Sequence, residues 1–173
     1  MRKTSCSICL VIVFMAGLCF HYNDARAGLR AGAAKVDITP PVGLTWAFDA
    51  HPMVSVENNL YARALVLDDG NAKIVLVATD LLWVTSEMTA EIREIITGKT
   101  GIPADDIMIS ATHTHYLPKV DINHHSEGVL DSVYVKFLIE KIAGSALLAA
   151  NTLDEASIAF TKGNITELAY NRR

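Results

Sequence analysis

Cysteine is scarce in this chain, and what there is lies in one place. Of 173 residues only Cys6, Cys9 and Cys19 are cysteine. All three fall in a stretch that reads as a cleavable secretory leader, residues 1–27. Arg2 and Lys3 make a basic start, Ile8 to Phe20 is an apolar run broken by Gly17, and Ala25-Arg26-Ala27 is a small-x-small cleavage pattern before Gly28. The run is short for a bilayer span, which sets the uncleaved anchor behind the cleaved leader. Residues 28–173 then carry no thiol. That excludes a small disulfide scaffold, a cysteine nucleophile and a cysteine-ligated zinc.

Positive charge is also short. Without the leader the chain holds 12 Lys and Arg against 18 Asp and Glu, and no basic cluster exceeds Arg172-Arg173. A nucleic-acid partner needs a positive stripe, so none is expected. There is no internal repeat and no low-complexity stretch. With 51% hydrophobic and 20% charged residues, the composition is that of a folded domain. Histidine, by contrast, is concentrated: after the leader five remain, and His113, His115, His124 and His125 lie within thirteen positions.

The apolar pattern predicts an α/β domain with a mixed sheet and flanking helices. Ala31 to Ile38 reads as a strand, stopped by Pro40-Pro41, because consecutive prolines remove ladder donors. Residues 44–59 form an irregular connection, long enough to suggest function. Leu60 to Leu67 and Ile74 to Ala78 predict a hairpin around Asp68-Asp69-Gly70-Asn71. The second of these is a continuous apolar run of the kind buried on both faces. Thr85 or Ser86 caps a helix to about Thr97, with Gly98 as its stop. Ile107 to Ala111 is a strand parallel to the one before the helix. Asp131 caps a long helix to about Asn151 whose stripe is Tyr134, Leu138, Ile142 and Ala149. Ile158 to Thr161 is expected as a last strand.

The chemistry gathers after the fourth strand, where Ser110-Ala111 runs into Thr112-His113-Thr114-His115. Residues two apart on an extended segment share a side, so both imidazoles are expected to face one site at the strand's carboxyl end. Imidazole suits zinc, and a catalytic zinc needs about three protein ligands plus an open position. Asp121, His124 and His125 are alternative ligands for a self-contained site, or simply loop. Asp80 either orients a histidine or caps strand-end donors, and Asp37 invites the same two readings. Two other zinc families fit poorly. Metallo-β-lactamases follow His-x-His closely with Asp-His, where this chain has Tyr116-Leu117. Amidohydrolase barrels carry the motif on their first strand.

Five segments occur in the order found in one known family. They are Ala31-Gly32-Ala33-Ala34-Lys35-Val36-Asp37-Ile38-Thr39-Pro40-Pro41-Val42-Gly43, Leu60 to Leu67, Val75 to Asp80, Ile109 to His115, and Asn171-Arg172-Arg173. On these the chain resembles the N-terminal part of the neutral/alkaline (non-lysosomal) ceramidases. The resemblance implies a zinc hydrolase of an amide bond, in the namesake enzymes the N-acyl bond of ceramide, a lipid met at a membrane surface. It implies that His113 binds the zinc ion, that His115 beside it positions substrate or water, and that Arg172 lines the site. The family usually continues the histidine block with two small residues and Pro, where this chain has Tyr116-Leu117-Pro118. The family's later ligands, a His, a Glu and a Tyr, lie beyond this length. The expectation is therefore an exported hydrolase represented by a partial domain over 28–173, inactive alone. The alternative is a non-catalytic exported binding domain on the same scaffold.

Overall fold

The computed structural model describes residues 28–49, 51–120 and 128–164. The leader, Asp121, His124, His125 and Arg172 lie outside them. Strand β1 is Arg30–Asp37, β2 Tyr61–Asp68, β3 Lys73–Thr79, β4 Ile107–Ala111 and β5 Asp154–Glu155; helix α1 is Ser86–Thr100 and α2 Ser132–Ala150. They form one mixed sheet in the order β4-β3-β2-β1-β5. The β3–β4 pair is parallel and the other pairs are antiparallel.

The β2–β3 hairpin is set by its turn. Asp69 Oδ1 accepts the N–H groups of Asn71 at 2.9 Å and Ala72 at 2.8 Å, and Asp68 Oδ1 accepts that of Gly70 at 2.9 Å. These bonds hold both carboxyls below their ordinary range: chiefly the Gly70 amide for Asp68, chiefly the Ala72 amide for Asp69. Asp68 pairs with Lys73 in the ladder, so the turn also fixes the register of the whole hairpin.

Helix α2 packs on β1, β2 and α1. Its predicted stripe of Tyr134, Leu138, Ile142 and Ala149 is buried. Asp131 caps it by accepting the Tyr134 N–H at 2.7 Å. Close packing needs glycine at one point. A Cβ on Gly32 of β1 would lie 2.0 Å from the Ala149 carbonyl oxygen. Arg93 of α1 grips the start of β4, its Nε and Nη2 donating to the Ile107 carbonyl at 2.9 and 2.7 Å.

Three expectations are corrected. Helix α1 runs through Gly98 and stops at Gly101, which adopts φ 74° and donates to the Thr97 carbonyl. An interior glycine costs only about 1 kcal/mol, so it does not end a helix that tertiary packing supports. Among the described residues the last strand is Asp154–Glu155 rather than Ile158 to Thr161, with Ile158 and Phe160 exposed. The pairing Arg30↔Glu155 explains it, because residues beyond 155 run past the start of β1. Strand β3 is fully buried on one face only, Leu76 and Ala78 on the other being half-buried. Val75 and Val77 are buried towards the helices, whereas Ile74 on the other face is exposed.

Candidate functional site

The site is built where β3 and β4 end together. Past the strands their chains stay paired: the Thr112 N–H donates to the Thr79 carbonyl and the His113 N–H to the Leu81 carbonyl, each at 2.9 Å. His113 then turns the backbone with φ 65°, the one positive-φ position other than glycine among the described residues. Histidine is among the few residue types enriched there, at a cost of about 1–2 kcal/mol. The motif is therefore not extended, as the two-residue alternation supposed. The imidazoles still converge, with ring centroids 5.3 Å apart in an edge-to-face arrangement. The left-handed turn, rather than strand alternation, brings them together.

His113 is held in one orientation. Its Nδ1 lies 2.8 Å from the Leu82 carbonyl oxygen. A carbonyl can only accept, so Nδ1 carries the proton in the neutral ring and Nε2 keeps its lone pair. This is the usual arrangement behind a metal-binding imidazole.

Asp80 does not perform that orienting role. Its Oδ2 accepts the Tyr61 N–H at 2.9 Å, and both oxygens accept Arg63 Nη1 at 2.8–2.9 Å. It is the strand-end carboxylate of the two readings. Asp37 likewise serves the backbone, accepting the Thr39 N–H at 2.8 Å and Asn59 Nδ2 at 2.7 Å. Thr39 is the main cause of its lowered pKa, with Asn59 assisting.

The connection from β1 to β2 supplies what sequence reasoning did not name. His115 stacks on Phe48 with centroids 4.8 Å apart, and Phe48 meets Trp46 edge-on at 5.5 Å; Trp83, from the segment after β3, lies 6.4 Å from His113. Trp46 Nε1 donates to the His115 carbonyl at 2.7 Å, and the Ala47 N–H donates to the Leu117 carbonyl at 3.0 Å. The two segments are thus stitched on both sides of Tyr116. Gly128 packs against the same connection, where a Cβ would lie 2.2 Å from the Trp46 carbonyl oxygen. The available sequence signal was the unusual length of this connection.

The same connection also encloses a cleft of about 770 Å³, within the size range of small-molecule sites, which Thr114 and Tyr116 line but His113 and His115 do not. Its lining is largely apolar, including Pro40, Met53, Val54 and Trp46, with Thr114 and Tyr116 on the histidine side. The two bulky residues after the histidine block separate here. Leu117 is fully buried in the core, whereas Tyr116 is 82% exposed and faces the cleft.

Among the described residues no group of three His, Cys, Asp or Glu side chains converges to hold a metal ion. His113 and His115 stand as a pair there, with ring centroids 5.3 Å apart. The described residues also contain no helix long and apolar enough to cross a membrane.

No family model matches the chain. It is 25% identical to the neutral ceramidase of Drosophila pseudoobscura pseudoobscura over 175 aligned positions, which are 94% of this chain and 24% of that protein. The crystal structure of neutral ceramidase from Pseudomonas aeruginosa superposes with a TM-score of 0.64 at 20% identity, covering 75% of this chain and 22% of that one. A ceramidase structure described as complexed with C2 gives a TM-score of 0.63 at 22% identity over the same shares. The chain therefore spans about a quarter of the length of the proteins it matches. Over that span it resembles the neutral ceramidases in sequence and in its mixed α/β fold.

Proposed function

We propose that this chain contributes to an exported, zinc-dependent hydrolase of a lipid-like amide, completed by further ligands from a polypeptide of the relatives' length. The observation that supports this reading is the His113 ring, whose Nδ1 is committed to the Leu82 carbonyl, so that in the neutral ring the lone pair lies on Nε2. Its place at the carboxyl ends of β3 and β4 is where α/β sheets bind ligands.

In this reading His113 Nε2 holds the zinc ion. Bound there, zinc would supply Lewis acidity to the amide carbonyl and bring the ionisation of a water near neutral pH. His115 serves the proton traffic, since amide cleavage must deliver a proton to the departing amine nitrogen and imidazole exchanges protons near neutral pH. Phe48 holds that ring by stacking, and Trp46 fixes its backbone. Arg172 would anchor substrate or the developing oxyanion. The cleft lined by Thr114 and Tyr116, whose wall is mostly apolar, would suit the hydrocarbon part of the substrate. Residues 1–27 act as the export leader, so the secreted or periplasmic protein begins at Gly28.

The test is zinc content and amide hydrolysis of the product of the complete gene. The wild type should hold zinc stoichiometrically, and His113→Ala should lose zinc and turnover together. Stoichiometric zinc retained by His113→Ala would overturn the assignment. N-terminal sequencing of the exported protein should read from Gly28.

A second reading is a non-catalytic exported binding domain on the same scaffold, favoured by the bulky Tyr116 and Leu117 that follow the histidine block. It predicts amide binding with neither zinc nor turnover.

A further inference from the structure

The sheet carries both helices on one face. They pack against each other and against the side of Val66, Val75, Val77 and Ile107. Side chains alternate along a strand, so the residues between these point the other way. Directly paired residues share a face, and the register sets Ala33, Leu65, Leu76 and Met108 in one row across four strands. Beside it run Ala31, Leu67 and Ile74. The row on the histidine side is Lys35, Arg63, Ala78 and Ser110. Among the described residues no helix packs on this face. Met108 is 56% exposed and Ile74 38%, and Leu65, Leu67 and Leu76 are half-buried. Apolar side chains exposed singly need no explanation, but a contiguous apolar field marks an interface. The parallel β3–β4 pair sharpens the point, because parallel strands are ordinarily covered on both faces.

We infer that this open face is the seat of a second layer, contributed by the part of the same polypeptide that lies outside this chain, apolar opposite Leu65, Leu76 and Met108 and polar where it meets Lys35 and Arg63. This rests on the reading that a polypeptide of the relatives' length completes the site, and it adds the surface on which the completing part sits. Two observations select that occupant. The chain spans about a quarter of the proteins it matches, so a polypeptide of their length has ample chain to lay against it. The face is also continuous with the histidines: Met108 lies on β4, whose chain runs directly on into His113. A layer seated there brings its own groups to the end of the sheet where the metal site is begun. The charged row marks its border. Lys35 Nζ lies 4.3 Å from the centre of the Tyr61 ring, and Arg63, 5.2 Å from the same ring, is bonded to Asp80. Such residues belong at the rim of an interface, with the apolar row as its centre.

Met108 supplies the test without any substitution, because a methionine is oxidised by hydroxyl radicals according to its exposure. In the folded product of the complete gene, radical footprinting read by mass spectrometry should oxidise Met108 at least about tenfold more slowly than in urea. An open face would slow it only about twofold, as its 56% exposure implies. Photomethionine incorporated in place of methionine should then cross-link position 108 to a peptide of the same polypeptide outside this chain. A mixture of isotopically heavy and light protein shows whether a cross-link joins two copies. Protection of only about twofold overturns the inference. So does a position-108 cross-link confined to this chain or found only between copies, and so does the absence of any. The hydrolase reading fails separately, through zinc content. A product that lacks zinc yet protects Met108 leaves the second layer standing, and a zinc protein with Met108 open overturns the layer alone.

Discussion

Replacing Tyr134 by Phe isolates one buried hydrogen bond that ties α2 to the entrance of the site. The Tyr134 hydroxyl donates to the Ile38 carbonyl at 2.8 Å, in a setting where the tyrosine is 4% exposed and Ile38 is fully buried. The next two residues, Thr39 and Pro40, already line the cleft. Phe keeps the ring packing and deletes only the donor, so the cost is the lost bond plus a buried carbonyl left short of a partner, about 1–3 kcal/mol. For a domain of this size each kcal/mol lowers Tm by about 2–4 °C. Burial, with Asp37 assisting, raises the Tyr134 pKa well above its ordinary value. The folded state therefore binds this proton more tightly than the unfolded chain does. The stability it contributes is complete below the unfolded value of about 10 and is lost as pH rises towards the folded one. Urea unfolding followed by circular dichroism should show a lower midpoint for Tyr134→Phe at pH 7 with an unchanged m-value. Above about pH 10 the advantage of the wild type should shrink by about 1.4 kcal/mol per pH unit. Equal midpoints at pH 7, or a difference independent of pH up to 11 or so, would refute this account.

Other expectations follow from the same structure. His113→Ala should cost zinc and turnover together, read by metal analysis of the complete gene product. Gly32→Ala must widen a backbone contact from 2.0 Å to the 3.4 Å of ordinary packing, against a carbonyl with no side chain to yield. It should destabilise by about 1–3 kcal/mol in urea titration, and an unchanged midpoint would show that β1 and α2 pack less tightly than described. Asp68→Asn removes a carboxylate whose folded pKa is lowered, so its contribution is present above the unfolded value and disappears as pH falls through the folded one. The variant should unfold more readily than the wild type at pH 7 and match it in strong acid; a deficit that persists in acid would assign the loss to the turn rather than to the charge.

The sequence by itself determined the local elements and their order. Period-two and period-3.6 patterns mark β1 to β4 and α2, and the Asp69 turn, the Asp131 cap and the Thr85 cap, whose Oγ1 accepts the Met88 N–H, act within a few residues of themselves. It also drew attention to His113 and His115 through their spacing after a buried strand. Where it misled, the deciding partner was distant. Gly98 is a stop signal overruled by packing, and the end of β5 depends on where β1 begins. One-sided cover of β3 depends on where the helices lie. The site itself is mostly a tertiary product. The left-handed turn at His113 and its Leu82 partner set the imidazole, while Trp46 and Phe48 arrive from nearly seventy residues away. Tyr116 and Leu117 are adjacent bulky residues, and only the stitching of their backbone to Trp46 and Ala47 sends one into the core and the other to the cleft. Short-range hydrogen bonding and periodicity are written in consecutive residues. Which side chains share a cavity is decided by packing between segments that the sequence keeps apart.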